Sequence, residues 1–412
     1  GAVHVESGLI SEVGGFASLK KKHPKAEIID ADGGIIMPGL VNSHMHLYST
    51  FARGMAIKGE PPKVFLDILK SLWWRLDQAL TAEDIYYSAL IALIECVKCG
   101  TTAIIDHHAS PNFAHGSLQK IEDALKMVPI RASLCYEVSD RDGVKIANEG
   151  IKENERFIRK HSGNNMVRGM FGMHASFTVS EKTLERCIAS AKDLGCGMHV
   201  HTAEGKSDLR DCKKRYGCGV VERWNKHGIL GTETLLAHCV HISDEEIELL
   251  AKTGVNVAHN PYSNMNNAVG AARTAEMLDR GVLLGLGTDG MSSDMFLESK
   301  FAHMIAKHEN KDPRKGFAEA CKMLLENNYK ILSNLFGWNL GEIKEGLPAD
   351  IIVCDYKAPT PISADNFSGH FLYGLAAGHV VTTIVNGKVL MKDRELIRSN
   401  MFALLCTSRS AF

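Results

Sequence analysis

The chain has 412 residues, of which 45% are hydrophobic and 23% charged, and a formal net charge of −1. That length suits one large domain plus a smaller one. The near-neutral balance excludes a global basic field for nucleic acid or anionic lipid, and it suits a small uncharged or zwitterionic substrate.

The first residues, Gly1 to Gly8, lack a basic start followed by an apolar core, so they are not read as a signal peptide. They read as the middle of a strand, which implies native residues before them. No run of about 18 uncharged apolar residues occurs, so no membrane span is expected. The 11 cysteines follow no framework spacing, and an odd count in a chain this size points to reduced thiols and a cytoplasmic protein. Cys96 and Cys99 lie in an apparent helix with apolar neighbours, where core packing outweighs redox chemistry. Cys212 and Cys218 lack a second pair and are taken as structural.

Residues 1–37 carry a strand-like piece at Glu27–Ile29 and a turn signal at Asp32-Gly33-Gly34. Ile36–His44 opens a series of apolar runs. Thr102–Asp106, Ile130–Glu137, Val167–Met173, Gly197–His201, Leu235–His238, Val255–His259 and Val282–Thr288 follow. Runs with helical spacing, such as Glu181–Leu194, Ser243–Thr253 and Ala271–Arg280, come between them. Fully apolar strands separated by helices imply a parallel sheet covered on both faces. Eight such units across residues 38–342 favour a closed (β/α)₈ TIM-like barrel over an open sheet. No GxGxxG follows an early strand, which weakens a dinucleotide-binding reading. Residues 343–412 return to strand-like pieces at Asp350–Cys354, Val380–Val385 and Lys388–Leu390, the last two joined by Asn386-Gly387, a hairpin signal. Neither end can build a stable sheet alone, so both are expected to meet in one small β domain.

Active residues of this barrel class sit at the C-terminal ends of the strands. The first predicted strand ends in His44-Met45-His46. A later one ends in His199-Val200-His201, with Glu204 three residues on. Two others end at His238 and Asp289. Residues two apart in an extended segment point the same way, so His44 and His46 can grip one ion. One such pair is a weak signal, but a further His and a last-strand Asp make it strong. Three neutral imidazoles and a carboxylate suit one divalent cation, Zn²⁺ ahead of Fe²⁺, with a position open for water to be activated. Glu204 can reach the same cavity as a proton carrier, and a carboxylate on the barrel rim at a helix N-terminus is compatible with that role.

These residues resemble the amidohydrolase superfamily, in its cytosine/guanine deaminase and triazine hydrolase branch. The matching segments are Pro38 to His46, His201-Thr-Ala-Glu204, Leu236-Ala-His-Cys239, Asn260-Pro-Tyr-Ser-Asn264, Gly287-Thr-Asp-Gly290 and the return strand from Gly346. A closer likeness, to SsnA-type aminohydrolases, rests on Leu72 to Asp77, Ile105 to Pro111, Ser263 to Asn267 and Ser293 to Phe296, and it implies no particular substrate. The resemblance implies metal ligation by His44, His46, His201 and Asp289, and a homodimer. It implies that Glu204 carries a proton from water to a ring nitrogen, that His238 orients the water, and that Asp289 also accepts its proton. The fourth strand ends in Gly172-Met-His174 with no lysine to carboxylate, which argues for one metal.

His174 stands where relatives contact substrate, or it fixes a rim loop. Of His107 and His108, one is expected to line the pocket and the other to be structural. Trp73 and Trp74 follow the first strand in a helix. Adjacent residues do not share a helical face, so one at most is expected to stack on substrate, with Trp73 the candidate. Asn264 is a candidate hydrogen-bond partner for a heterocycle, unless it only caps a turn. His199, His241 and His259 fall outside the ligand set. The expected activity is hydrolytic deamination of a nitrogen heterocycle of purine or pyrimidine type, releasing ammonia. Hydrolysis of another C–N or C–Cl bond, of amidase or triazine chlorohydrolase type, and a catalytically silent binding protein are the competing readings.

Overall fold

The computed structural model describes residues 1–56 and 59–397. Residues 398–412 of the expected C-terminal segment lie outside the described residues.

Eight parallel strands form the centre of the molecule. They are β1 (Leu40–Met45), β2 (Thr101–His108), β3 (Arg131–Tyr136), β4 in two pieces (Val167–Gly169 and Phe171–Ala175), β5 (Met198–Thr202), β6 (Leu235–His238), β7 (Asn256–His259) and β8 (Leu283–Leu286). They pair in chain order, β1 to the first piece of β4 and the second piece of β4 to β8. A parallel bridge between Met45 and Asp289 joins β8 back to β1, and one between Val138 and Met173 carries β3 across the break in β4. The strands thus close into a barrel. Almost every residue of these strands is buried, which explains their continuous apolar runs. Tyr329, Leu332 and Trp338 pack with Val41, Ala103, Ile105 and Ala258. Tyr329 donates its hydroxyl hydrogen bond to the Gly39 carbonyl, so this layer plugs the barrel at the N-terminal ends of the strands. The other end is left for the site.

Several close approaches need glycine. A Cβ on Gly197 would lie 1.7 Å from the Glu233 carbonyl oxygen, and one on Gly287 would lie 2.7 Å from the His44 backbone nitrogen. The second contact lets the chain after β8 pass directly beside His44 at the end of β1.

The chain ends meet as expected. Ile35–Pro38 pairs antiparallel with Ile351–Cys354, which pairs with Val380–Val385, then Lys388–Lys392, then Glu395–Leu396. Arg131 of β3 ties this sheet to the barrel. Its guanidinium, 3% exposed, donates to Asp350 at 2.6 Å and also to Asn386. Glu27–Ile29 is not a strand. Ile28 is exposed, so the adjacent Ile28 and Ile29 produced a strand signal with no strand to pair with. The N-terminal strand pairs instead with its own neighbour, Ala2–Glu6 with Leu9–Gly14. Among the described residues no helix is long and apolar enough to cross a membrane.

Candidate metal centre

The C-terminal ends of the strands converge on a cleft whose lining includes His46, Trp73, Trp74, Glu137, His174, His201, Glu204 and Asp289. At its floor, His46 Nε2 lies 3.1 Å from His201 Nε2 and 3.0 Å from Asp289 Oδ1. His44 Nε2 lies 3.7 Å from the same oxygen. Donors held at 2.0–2.2 Å from one Zn²⁺ stand roughly 3–3.6 Å apart, so these spacings fit a shared cation.

Proton positions sharpen the fit. His46 Nδ1 lies against the His107 carbonyl, and His201 Nδ1 is 2.9 Å from the His174 carbonyl. A carbonyl only accepts, so both rings carry their proton on Nδ1 and turn lone pairs on Nε2 toward each other. A cation between them would satisfy both lone pairs. Burial opposes protonation of His46, but the Asp289 carboxylate raises its pKa to about 9, so without an ion Nε2 takes up a proton that a bound metal would displace. Burial holds His44 near 3, hence neutral, and its Nε2 has no hydrogen-bond partner. Burial opposes ionisation of Asp289, yet His44 and His46 keep it well below the usual carboxylate range. Ser263 Oγ donates to its other oxygen.

His238 lies in the same cluster, with its ring among His44, His201 and Asp289. Its role differs by tautomer. The Asn264 amide donates to His238 Nδ1 at 2.8 Å, with the Asn260 amide at 3.4 Å. Nδ1 therefore accepts, and Nε2 carries the proton. In that tautomer His238 would donate into the cage instead of ligating, with its Nε2 3.6 Å from Glu204 Oε2 and 3.8 Å from Asp289 Oδ2.

Glu204 hangs over the cage from the turn after β5. The Asp208 carboxylate accepts the Ala203 and Phe177 amides, each at 3.0 Å, and locks that turn. Burial, with the negative charge of Asp289, raises the Glu204 pKa well above the usual value. Its Oε1 is buried without a partner. Four residues at these strand ends hold positive φ without being glycine: Ala203 (48°), His238 (77°), Cys239 (50°) and Asp289 (53°). Such backbone costs about 1–3 kcal/mol each and persists where the surroundings impose it. Here it turns functional side chains into the cage.

Several expectations for the cleft wall are corrected. Neither His107 nor His108 lines it. His107 is fully buried, donating from Nε2 to the Met173 and His199 carbonyls at 3.1 and 3.2 Å. His108 is buried too, bonded to Ser110. Asn264 is likewise enclosed and serves His238, while Asn267 reaches the wall. Trp73 and Trp74 both line the cleft, at the end of a π turn over Leu69–Trp73. His174 does line the cleft, with Nε2 3.9 Å from Glu137. Glu137 itself was missed, although it ends the predicted strand Ile130–Glu137. Burial resists its ionisation, but His174, His107 and Arg141 keep it a carboxylate.

The amidohydrolase family model matches residues 35–390. The chain is 35% identical over 404 residues to 5'-deoxyadenosine deaminase of Methanosarcina mazei, covering 96% of this chain and 89% of that protein. It is 31% identical over 408 residues to 5-methylthioadenosine/S-adenosylhomocysteine deaminase of Desulforudis audaxviator, covering 96% and 90%. Among solved structures, an adenosine deaminase of Xanthomonas campestris with bound zinc superposes with a TM-score of 0.85 at 23% identity, covering 99% of this chain and 92% of that one. From residues 35 to 390, barrel and small sheet alike, this chain belongs to the amidohydrolase family.

Proposed function

We propose that the protein is a mononuclear metal-dependent aminohydrolase that deaminates an adenine-bearing nucleoside, releasing ammonia. The observation that carries the reading is the pair of Nε2 lone pairs on His46 and His201, facing each other 3.1 Å apart beside the Asp289 carboxylate. The relatives named for deaminating adenosine derivatives supply the substrate class. His44, His46, His201 and Asp289 would hold the ion, with Zn²⁺ suited to three imidazoles and one carboxylate. When bound, the ion would lower the pKa of a water toward neutrality and supply the nucleophile.

The chain's own residues divide the remaining work. Glu204, kept neutral by burial, donates a proton to the ring nitrogen beside the attacked carbon and regains one from the new hydroxyl as the carbonyl forms. His238 presents Nε2–H to the oxygen as charge develops on it, an electrostatic role with no proton exchange. Asp289, ionised and steadied by Ser263, accepts the proton of the attacking water and returns it to the departing amine. Trp73, Trp74 and Phe65 give the base an apolar, aromatic wall. The free cysteines among the described residues fit a reducing compartment such as the cytoplasm.

An ammonia-release assay with zinc-loaded protein and a panel of aminated heterocycles tests this. Adenosine and its 5'-modified relatives should release ammonia. Glu204→Gln should lower turnover by about 10²–10⁴-fold while zinc stays bound. Zinc-loaded protein inert on the whole panel, or undiminished turnover in Glu204→Gln, refutes the reading.

A further inference from the structure

His44 differs from its companions in what holds it. The Nδ1 protons of His46 and His201 are fixed by backbone carbonyls, which no side-chain substitution removes. His44 Nδ1 instead meets another ring, His199 Nε2, at 2.9 Å. His199 has no place in the reaction as derived, and Cys135 beneath it has none either.

We infer that His199 and Cys135 form a hydrogen-bonded chain that sets His44 in its ligand tautomer, with His199 as a positioning residue for the metal. The inference rests on the cage reading above. His199 is fully buried on β5, two residues before His201. Its Nδ1 lies 3.6 Å from Cys135 Sγ, within reach of a sulfur hydrogen bond. The thiol in turn lies 3.5 Å from the Asp106 carbonyl. That carbonyl can only accept, so it fixes one complete order of protons. Cys135 S–H donates to Asp106, His199 Nδ1–H donates to the sulfur, and His44 Nδ1–H donates to His199 Nε2. His44 Nε2 is then left as a lone pair, and it has no hydrogen-bond partner.

The opposite order has a clear consequence. If the thiol donated to His199 Nδ1, His199 would donate from Nε2 to His44 Nδ1. The His44 proton would move to Nε2, where it faces Asp289 and closes the site to an ion. One chain therefore couples the tautomer of a buried ligand to a thiol two links away. The His199 backbone carbonyl accepts from His107 Nε2, and this clamps the segment that carries the ring.

Zinc affinity of the apo-protein, measured by competition with a chromophoric chelator, tests the chain without reference to turnover. His199→Leu removes the acceptor and should weaken zinc binding by about 10–100-fold, the usual cost of losing such an outer partner. His199→Gln offers its terminal oxygen to the His44 Nδ1–H and should retain most of the affinity. Cys135→Ala should weaken zinc binding and Cys135→Ser should not. Far-UV circular dichroism checks that each variant is folded. Wild-type affinity in folded His199→Leu, or a His199→Gln variant as weak as His199→Leu, overturns the chain. If His199→Leu does not fold, the cysteine pair decides, and equal affinity in Cys135→Ala and Cys135→Ser overturns it. Wild-type protein that binds no zinc overturns the cage and the chain together.

Discussion

Proton positions at single residues decide what each histidine around the cleft can do. Five imidazoles crowd one floor, yet the partners of their far nitrogens sort them. Rings backed by carbonyls present lone pairs, and the ring backed by Asn264 and Asn260 presents a proton. The sequence made the inner group legible, since His44, His46, His201, Glu204, His238 and Asp289 all fall at strand ends. It could not show the backing residues. Asn264 read as a substrate contact because a loop asparagine carries no mark of which way it faces. His259 gives a test at this scale. Burial, with His238 nearby, lowers its pKa to about 3, against about 6.5 in an unfolded chain. Between those values the unfolded state binds a proton that the folded state does not, so stability falls as pH falls. Above about pH 6.5 the contribution is fully present. His259→Asn should flatten the wild-type dependence of unfolding free energy between pH 6.5 and 4 by at most about 1.4 kcal/mol per pH unit. Parallel curves for the two proteins would contradict the assignment.

Among the elements, the barrel strands were readable because burial on both faces writes an uninterrupted apolar run. Glu181–Leu194 was recovered to the residue, with Ser180 capping its start and Gly195 its end, both recognisable signals. Breaks in regular structure were not readable. The π turn at Leu69–Trp73 depends on packing rather than composition, and helical spacing alone did not show that Trp73 and Trp74 both reach the cleft. The gap in β4 at Met170 is equally silent. Glycines at close approaches are partly legible, because nothing in the chain says which neighbour comes near. Gly197 enters β5 with the Glu233 carbonyl where a Cβ would stand. Gly197→Ala should destabilise the protein by at least about 2–3 kcal/mol, the cost of forcing extra volume into packed backbone. A urea melt checks this, and an unchanged midpoint at the same slope would mean that β5 shifts freely there.

Across the whole molecule, a small sheet built from both ends of the chain braces the barrel. That the ends meet was legible from strand-like pieces too short to stand alone. That the N-terminal strand forms a separate hairpin was not, because its pairing with Leu9–Gly14 competes with equally apolar strands elsewhere. Arg131 and Asp350 connect the two sheets through a buried pair. Removing one partner from such a pair leaves the other charge unpaired, at about 3–5 kcal/mol. Arg131→Met should lower stability by that amount in denaturant unfolding, and Asp350→Asn in the same chain should recover part of it. A loss of under about 1 kcal/mol would place the pair with ordinary surface ion pairs.

The account as a whole depends on one cation seated among side chains from β1, β5 and the end of β8. Anomalous diffraction at the zinc edge, from crystals of zinc-loaded protein, tests this most directly. A single peak is predicted, about 2.0–2.2 Å from His44 Nε2, His46 Nε2, His201 Nε2 and an Asp289 oxygen, with His238 Nε2 outside bonding distance. No peak within that group, or a peak ligated by His238 in place of His46, would contradict it.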